Sequence, residues 1–212
     1  MILTYGQLEA TLAGHLRIHP DRLGTLRARI KQLQKLQFPP GVNVGRGTKM
    51  AYSGAHLFQL VSAFELINLG LPAATATGLV TPSWRVIAAG YALAVANPSW
   101  GRPNDIFIRL LNSSLEDLTG GLDRHGWTSR AYIHDRKSLI DDLYCDYRRP
   151  EFSSILINAS DVVRSVLQFA EQFARVPSPL ADDEIRSWTV NYSDADYWVR
   201  VDETWREAEN TF

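Results

Sequence analysis

Basic and amide side chains at helical spacing are the first groups in this sequence whose types suggest chemistry, and that chemistry is the binding of phosphate and of base edges. From Arg22 to Lys35, RLGTLRARIKQLQK places Leu23, Leu26, Ile30 and Leu33 at i, i+3, i+7 and i+10. That is one stripe at a period of 3.6, so this face packs against something. Thr25, Ala28, Gln32 and Lys35 fall roughly opposite the stripe, with Arg22 and Arg29 flanking one side and Arg27 and Lys31 the other. A major groove takes this arrangement: small or amide side chains toward base edges, cations toward both phosphate rails. Thr25, Arg29 and Gln32 are expected to face bases, and Arg22, Arg27, Lys31 and Lys35 phosphates. The competing reading is a solvated amphipathic helix.

Pro39 and Pro40 stop this helix, and GVNVGRGTKMAY follows as a Gly-rich hairpin. Arg46, held between Gly45 and Gly47, projects from its tip together with Lys49, positions suited to a flanking groove or a phosphate. The stretch lacks the GK[ST] ending of a nucleotide-binding P-loop.

Charge is segregated in the same sense. The first 52 residues hold eight Lys and Arg against two acids, while the whole chain has 22 and 23, leaving fourteen bases and twenty-one acids for the remainder. A net charge of −1 therefore conceals a cationic head on an acidic body.

The elements that must position these groups are legible locally. Thr4 to Leu16 reads as a helix with Leu8, Leu12 and Leu16 on one face, Thr4 as its cap and Gln7 in a capping box. Pro20 suits the start of the next helix, so the two form a helix-turn-helix. Ser53 caps a further helix that Gly70 ends, and Pro72 opens another. The order of these elements, then Tyr52-Ser53-x-x-His56-Leu57-x-x-Leu60 and Glu65-Leu66-x-x-Leu69-Gly70-Leu71-Pro72, resembles the winged-helix domain of MerR-type regulators over about residues 3–80. The resemblance implies a winged helix that binds double-stranded DNA as a homodimer, with Tyr52 ending the wing and counted in the interface. Lys31-Gln32-Leu33-Gln34 stands where the family carries an Arg-Tyr-Tyr-Glu-like stretch. No sustained heptad follows for the family's usual coiled coil.

Beyond Pro82, PSWRVIAAGYALAVA reads as a short apolar helix ended by Asn97-Pro98, and Gly101-Arg102-Pro103 as a boundary. DIFIRLL, SRAYIHD and SSILINAS read as strands, the last leading into a helix that Ser160 or Asp161 caps, with Val162, Val166, Phe169, Ala170 and Phe173 buried. The C-terminal tail holds Trp188, Trp198 and Trp205, an acidic excess and an alternating edge strand, YWVRV. The expected fold is α+β and mostly helical: a winged helix-turn-helix over 1–80, a connecting helix and linker over 81–101, and an α+β dimerisation or partner-binding domain over 102–212.

Other titratable groups bear on catalysis or metal binding. His15 with His19 is broken by the turn; Asp142 with Asp146, and His125 with His134, are the remaining clusters. The acids are expected to pair with neighbouring arginines rather than hold a metal. The expectation is a chain that is not an enzyme and carries no cofactor or metal. The single Cys145 excludes an intramolecular disulfide, and neither a signal peptide nor an apolar run of about 18 residues is read, so a cytoplasmic protein is expected. The sequence thus points to a homodimeric DNA-binding transcriptional regulator, with a protein-interaction adaptor or an architectural or recombination factor as the alternative.

Overall fold

The computed structural model describes residues 1–42, 51–97, 105–111, 131–145, 154–189 and 199–200. The chain opens with a two-residue strand, β1 (Ile2–Leu3), which sequence periodicity did not register. It pairs antiparallel with β2 (Tyr52–Ser53), Ile2 opposite Ser53 and Leu3 opposite Tyr52. Helix α1 (Tyr5–His15) begins at the expected capping box: the Gln7 N–H donates to Thr4 Oγ1 at 3.3 Å, and the Thr4 N–H donates to Gln7 Oε1 at 2.9 Å. A single 3-10 turn (Pro20–Arg22) leads into α2 (Leu23–Lys35), which buries Leu26, Ile30 and Leu33.

Helices α1 and α2 end without glycine. Arg17 (φ 53°) and Gln37 (φ 63°) take the left-handed conformation just past each helix. The following N–H closes the turn by reaching back: Ile18 N to Ala13 O at 2.9 Å, and Phe38 N to Leu33 O at 3.1 Å. Gly70 (φ 96°) does the same after α3 (Gly54–Asn68), where Leu71 N reaches Leu66 O at 3.2 Å.

One helix, α4 (Ala73–Ala96), replaces the two expected around Pro82, so the expected boundary at 80–81 falls inside it. Proline removes one helical hydrogen bond and crowds the carbonyl four residues back. That residue is Gly78. Packing on several sides sustains the helix: Ala76, Val80, Ile87, Tyr91 and Ala92 are all fully or almost fully buried. By length and composition α4 could cross a membrane, but 61% of its apolar window is buried inside this molecule.

A four-stranded sheet of order β5-β3-β4-β6 lies against α4. Strand β3 (Ile106–Leu111) pairs antiparallel with β4 (Ala131–Asp135) and β5 (Ser154–Asn158); β6 (Val199–Arg200) pairs parallel with β4 at the opposite edge from β5. Ile106, Ile108 and Leu110 share one face with Ile133 and Ala131, and that face meets α4 at Gly90. Arg109 and His134 lie on the other face, under α5 (Arg136–Cys145). Helix α6 (Ala159–Phe169) is capped by Asn158, whose side chain accepts from Asp161 N, and not by Ser160 or Asp161. It continues as a π-helical turn (Ala170–Ala174), and α7 (Ser178–Arg186) follows. Of the expected α6 stripe, Val162, Val166 and Ala170 are buried, Phe169 is half-buried, and Phe173 is exposed and stacks on Phe169 at 5.8 Å.

The architecture is thus α+β and mostly helical. One hydrophobic core runs from Leu3 through α1–α4 and the sheet to Ile185, drawing on both of the stretches read from sequence as separate units. Trp188 joins it by packing edge-on against Phe58 at 5.5 Å and beside Trp84 at 5.8 Å. Residues 98–104, where a boundary was expected, lie outside the described residues, as do Trp198 and Trp205.

A Cβ placed at Gly90 would come within 2.6 Å of Ile108 Cγ1. Gly90→Ala is therefore expected to cost about 1–3 kcal/mol in urea unfolding. Gly24 in α2 has open space around it. Gly24→Ala should raise stability by about 0.5–1 kcal/mol in the same assay.

Candidate nucleic-acid interface

The face of α2 opposite its buried stripe is open. Arg22, Thr25, Arg27, Arg29, Lys31, Gln32 and Lys35 are all exposed, so the structure brings this expected set onto one continuous surface. Among the described residues Arg22, Arg29, Lys31 and Lys35 make no ion pair. Arg27 differs: its Nε donates to both oxygens of Glu9 in α1, at 2.9 and 2.8 Å. The Glu9 carboxylate pushes the Arg27 guanidinium further above its ordinary range.

Tyr52 does not belong on this surface. It is fully buried, its ring packs 6.4 Å from Tyr5 and from His56, and its hydroxyl accepts from Gln34 Nε2 at 2.8 Å. A tyrosine whose ring closes the core and whose only polar atom is already bonded has nothing to offer DNA. Its role is to seat β2 against α2, a role no spacing argument separates from ligand binding. Arg46 and Lys49 lie outside the described residues.

The entry to α3 adds a feature. Ser53 accepts from His56 N at 3.2 Å, and the Ser53 N–H donates to His56 Nδ1 at 3.1 Å, so histidine fills the capping-box position that Gln7 fills in α1. The Pro40 carbonyl, from the segment after α2, acts on the ring in the sense that favours its protonated form. Burial holds this imidazole below its ordinary range and outweighs the opposing effects of Pro40 and of the Glu184 carboxylate.

Three further constellations fix the head to the remainder. His15 Nδ1 lies 2.9 Å from Ser165 Oγ, and its Nε2 lies 3.0 Å from Glu65 Oε1, joining α1, α6 and α3. By distance this is a Ser-His-Glu line. Ser165 sits inside α6, where its own N–H is engaged in the helical ladder. Glu184 of α7 pairs with the Met1 ammonium and accepts from Gly54 N at 3.0 Å. Gln7 Nε2 donates to the Ala174 carbonyl at 3.1 Å.

The acids and histidines singled out in the second half are redistributed. Asp142 is buried and accepts from Arg109 Nη1 at 2.8 Å, with His134 Nε2 3.8 Å from the same oxygen. It faces inward to a guanidinium from the sheet, a partner distant in sequence. Asp146 and His125 lie outside the described residues. His15 and His19 part company: His19 is exposed and accepts from Asp21 N at 3.4 Å. Among the described residues no three His, Cys, Asp or Glu side chains come together to hold a metal.

Comparisons with family models, curated proteins and solved structures find no match.

A histidine whose folded pKa lies below its unfolded value binds protons more readily when unfolded, so stability is full above about pH 6.5 and falls as pH drops through that value. Glutamine keeps the capping acceptor and does not titrate. The melting temperature of the wild type minus that of His56→Gln should be larger at about pH 7.5 than at about pH 5.5.

Proposed function

We propose that this chain is a sequence-specific transcriptional regulator that binds double-stranded DNA as a homodimer, through a winged helix-turn-helix of the MerR type. The observation that carries the reading is the open cationic face of α2: four bases without an acidic partner among the described residues flank Thr25 and Gln32, on a helix that follows α1 after the stretch 16–22. In this reading Gln32 offers an amide to an adenine edge, and Thr25 and Arg29 meet neighbouring base edges. Arg22, Lys31 and Lys35 neutralise phosphates, and Arg46 and Lys49 reach the flanking groove. A second copy would supply a second recognition helix for a two-fold site. Tyr52 drops out of the interface and becomes its support.

A protein-docking role is the second reading, favoured by the exposed Ile140 and Leu143 on α5 and Leu156 on the edge strand β5. The two readings separate on whether the α2 face engages duplex DNA at physiological salt.

Fluorescence-anisotropy titrations with duplex DNA over a salt series are expected to give a slope near about −5 in log K against log salt, as for about six neutralised phosphates. Arg29→Ala should weaken binding. Arg46→Ala should weaken binding to all sequences and flatten the slope by about one unit. Gln32→Ala should mainly relax sequence choice, read by competition between selected and random duplexes. An undetectable affinity at low salt overturns the proposal.

A further inference from the structure

The ion pairs among the described residues differ in which partner meets solvent. Arg109 and Asp142 are both buried, and Arg164 and Asp161, three residues apart on α6, both face solvent. Glu9 and Arg27 are split: the carboxylate side chain is 10% exposed, the guanidinium side chain 56%. A buried carboxylate needs a partner, and Arg27 supplies one. It does so with the single N–H nearest its own stem, Nε, shared between both carboxylate oxygens. The far ends, Nη1 and Nη2, make no hydrogen bond among the described residues, and four N–H donors remain on the outer side of a planar group whose orientation is fixed.

We propose that Glu9 is a positioning residue for Arg27, holding the guanidinium by its Nε edge so that the Nη groups are presented to a DNA phosphate on the α1 side of α2. The inference rests on the DNA-binding reading above. A free arginine at a surface loses rotamer freedom when it grips a phosphate, and one already held by a buried carboxylate has less to lose. Helical geometry agrees. Arg27 and Gln34 flank the same side of the buried stripe, the side on which α2 meets Glu9 of α1 and Tyr52 of β2. The outward edge of Arg27 therefore lies beside Lys31, and the two cations line one rail. Glu9 also places a negative charge near that rail, so its removal would by electrostatics alone strengthen binding. Positioning predicts the opposite sign.

The experiment uses the full chain and duplex DNA in anisotropy titrations over a salt series, with thermal melts to verify folding. Glu9→Gln keeps an oxygen for Nε and removes the negative charge, and should bind at least as tightly as the wild type. Glu9→Leu removes the same charge and the acceptor, and should bind about tenfold more weakly. Its salt slope should flatten by about one unit, as in Arg27→Ala. Arg27→Lys leaves Glu9 in place and keeps the charge but lacks the outer N–H pair, and should weaken binding like Arg27→Ala. This variant keeps the test decisive if Glu9→Leu does not fold. Binding of Glu9→Leu as tight as that of Glu9→Gln, or of Arg27→Lys as tight as that of the wild type, overturns the positioning role. If the wild type and Arg29→Ala alike fail to bind at low salt, the DNA reading falls and this inference with it.

Discussion

The close approach of α4 to the sheet is the contact on which the remaining packing depends. At Gly90 the helix backbone comes so near that Ile108 occupies the volume a side chain would fill, with Ile133 in van der Waals contact beside it. Helix and sheet in such contact exclude water from both, and each apolar side chain removed from water there contributes roughly 1.5–3 kcal/mol. On its other sides α4 packs against α3, α6 and α7, so the interior of the α3 entry, the sheet and the C-terminal helices is one volume. Even the hydroxyl of Tyr91, buried in α4, is satisfied by Ser62 of α3 at 2.9 Å, and burial pushes its pKa up. A helix so enclosed tolerates Pro82 because tertiary contacts outweigh one lost hydrogen bond.

That shared core makes the cationic head and the acidic body mechanically continuous. Helix α1 lies against α6 because Gly14 leaves room for the Phe169 ring, and His15 and Gln7 bond across the same junction. Polar groups at these junctions are paired, since desolvating a charge or an amide without a partner costs several kcal/mol. Glu184 satisfies two donors at once, the Met1 ammonium and the first N–H of α3. In the proposed regulator, α2 would therefore present its face from a fixed platform. Among the described residues α2 is tied to that platform by α1, α4 and β2.

Much of this organisation is legible in local chemistry. Thr4 with Gln7 and Ser53 with His56 begin their helices where capping side chains occur. Leu26, Ile30 and Leu33 face inward at the period that marks them. Ile106, Ile108 and Leu110 alternate as a strand must. The exposure of Thr25, Arg29, Gln32 and Lys35 follows from that same period, because one buried stripe leaves the opposite face to solvent. Where local signals failed, a partner or a backbone conformation not written in the local pattern decided the outcome. β1 is too short to show a period and exists because Tyr52 and Ser53 are there to pair with it. Left-handed Arg17 and Gln37 end helices without the glycine that would have marked them.

By itself the sequence determined helices α1, α2, α3 and α6, strands β3, β4 and β5 and the cationic face of α2, because periodicity, caps and charge are properties of neighbours along the chain. Only the tertiary structure decided which groups are spent. Arg27 is held by Glu9, Tyr52 is sealed under Gln34, Asp142 turns inward to Arg109, and His15 spans three helices. An ionic or polar side chain commits to whichever partner removes the largest desolvation cost, and that partner is chosen by which surfaces the core brings together. Spacing along one helix carries no record of that choice.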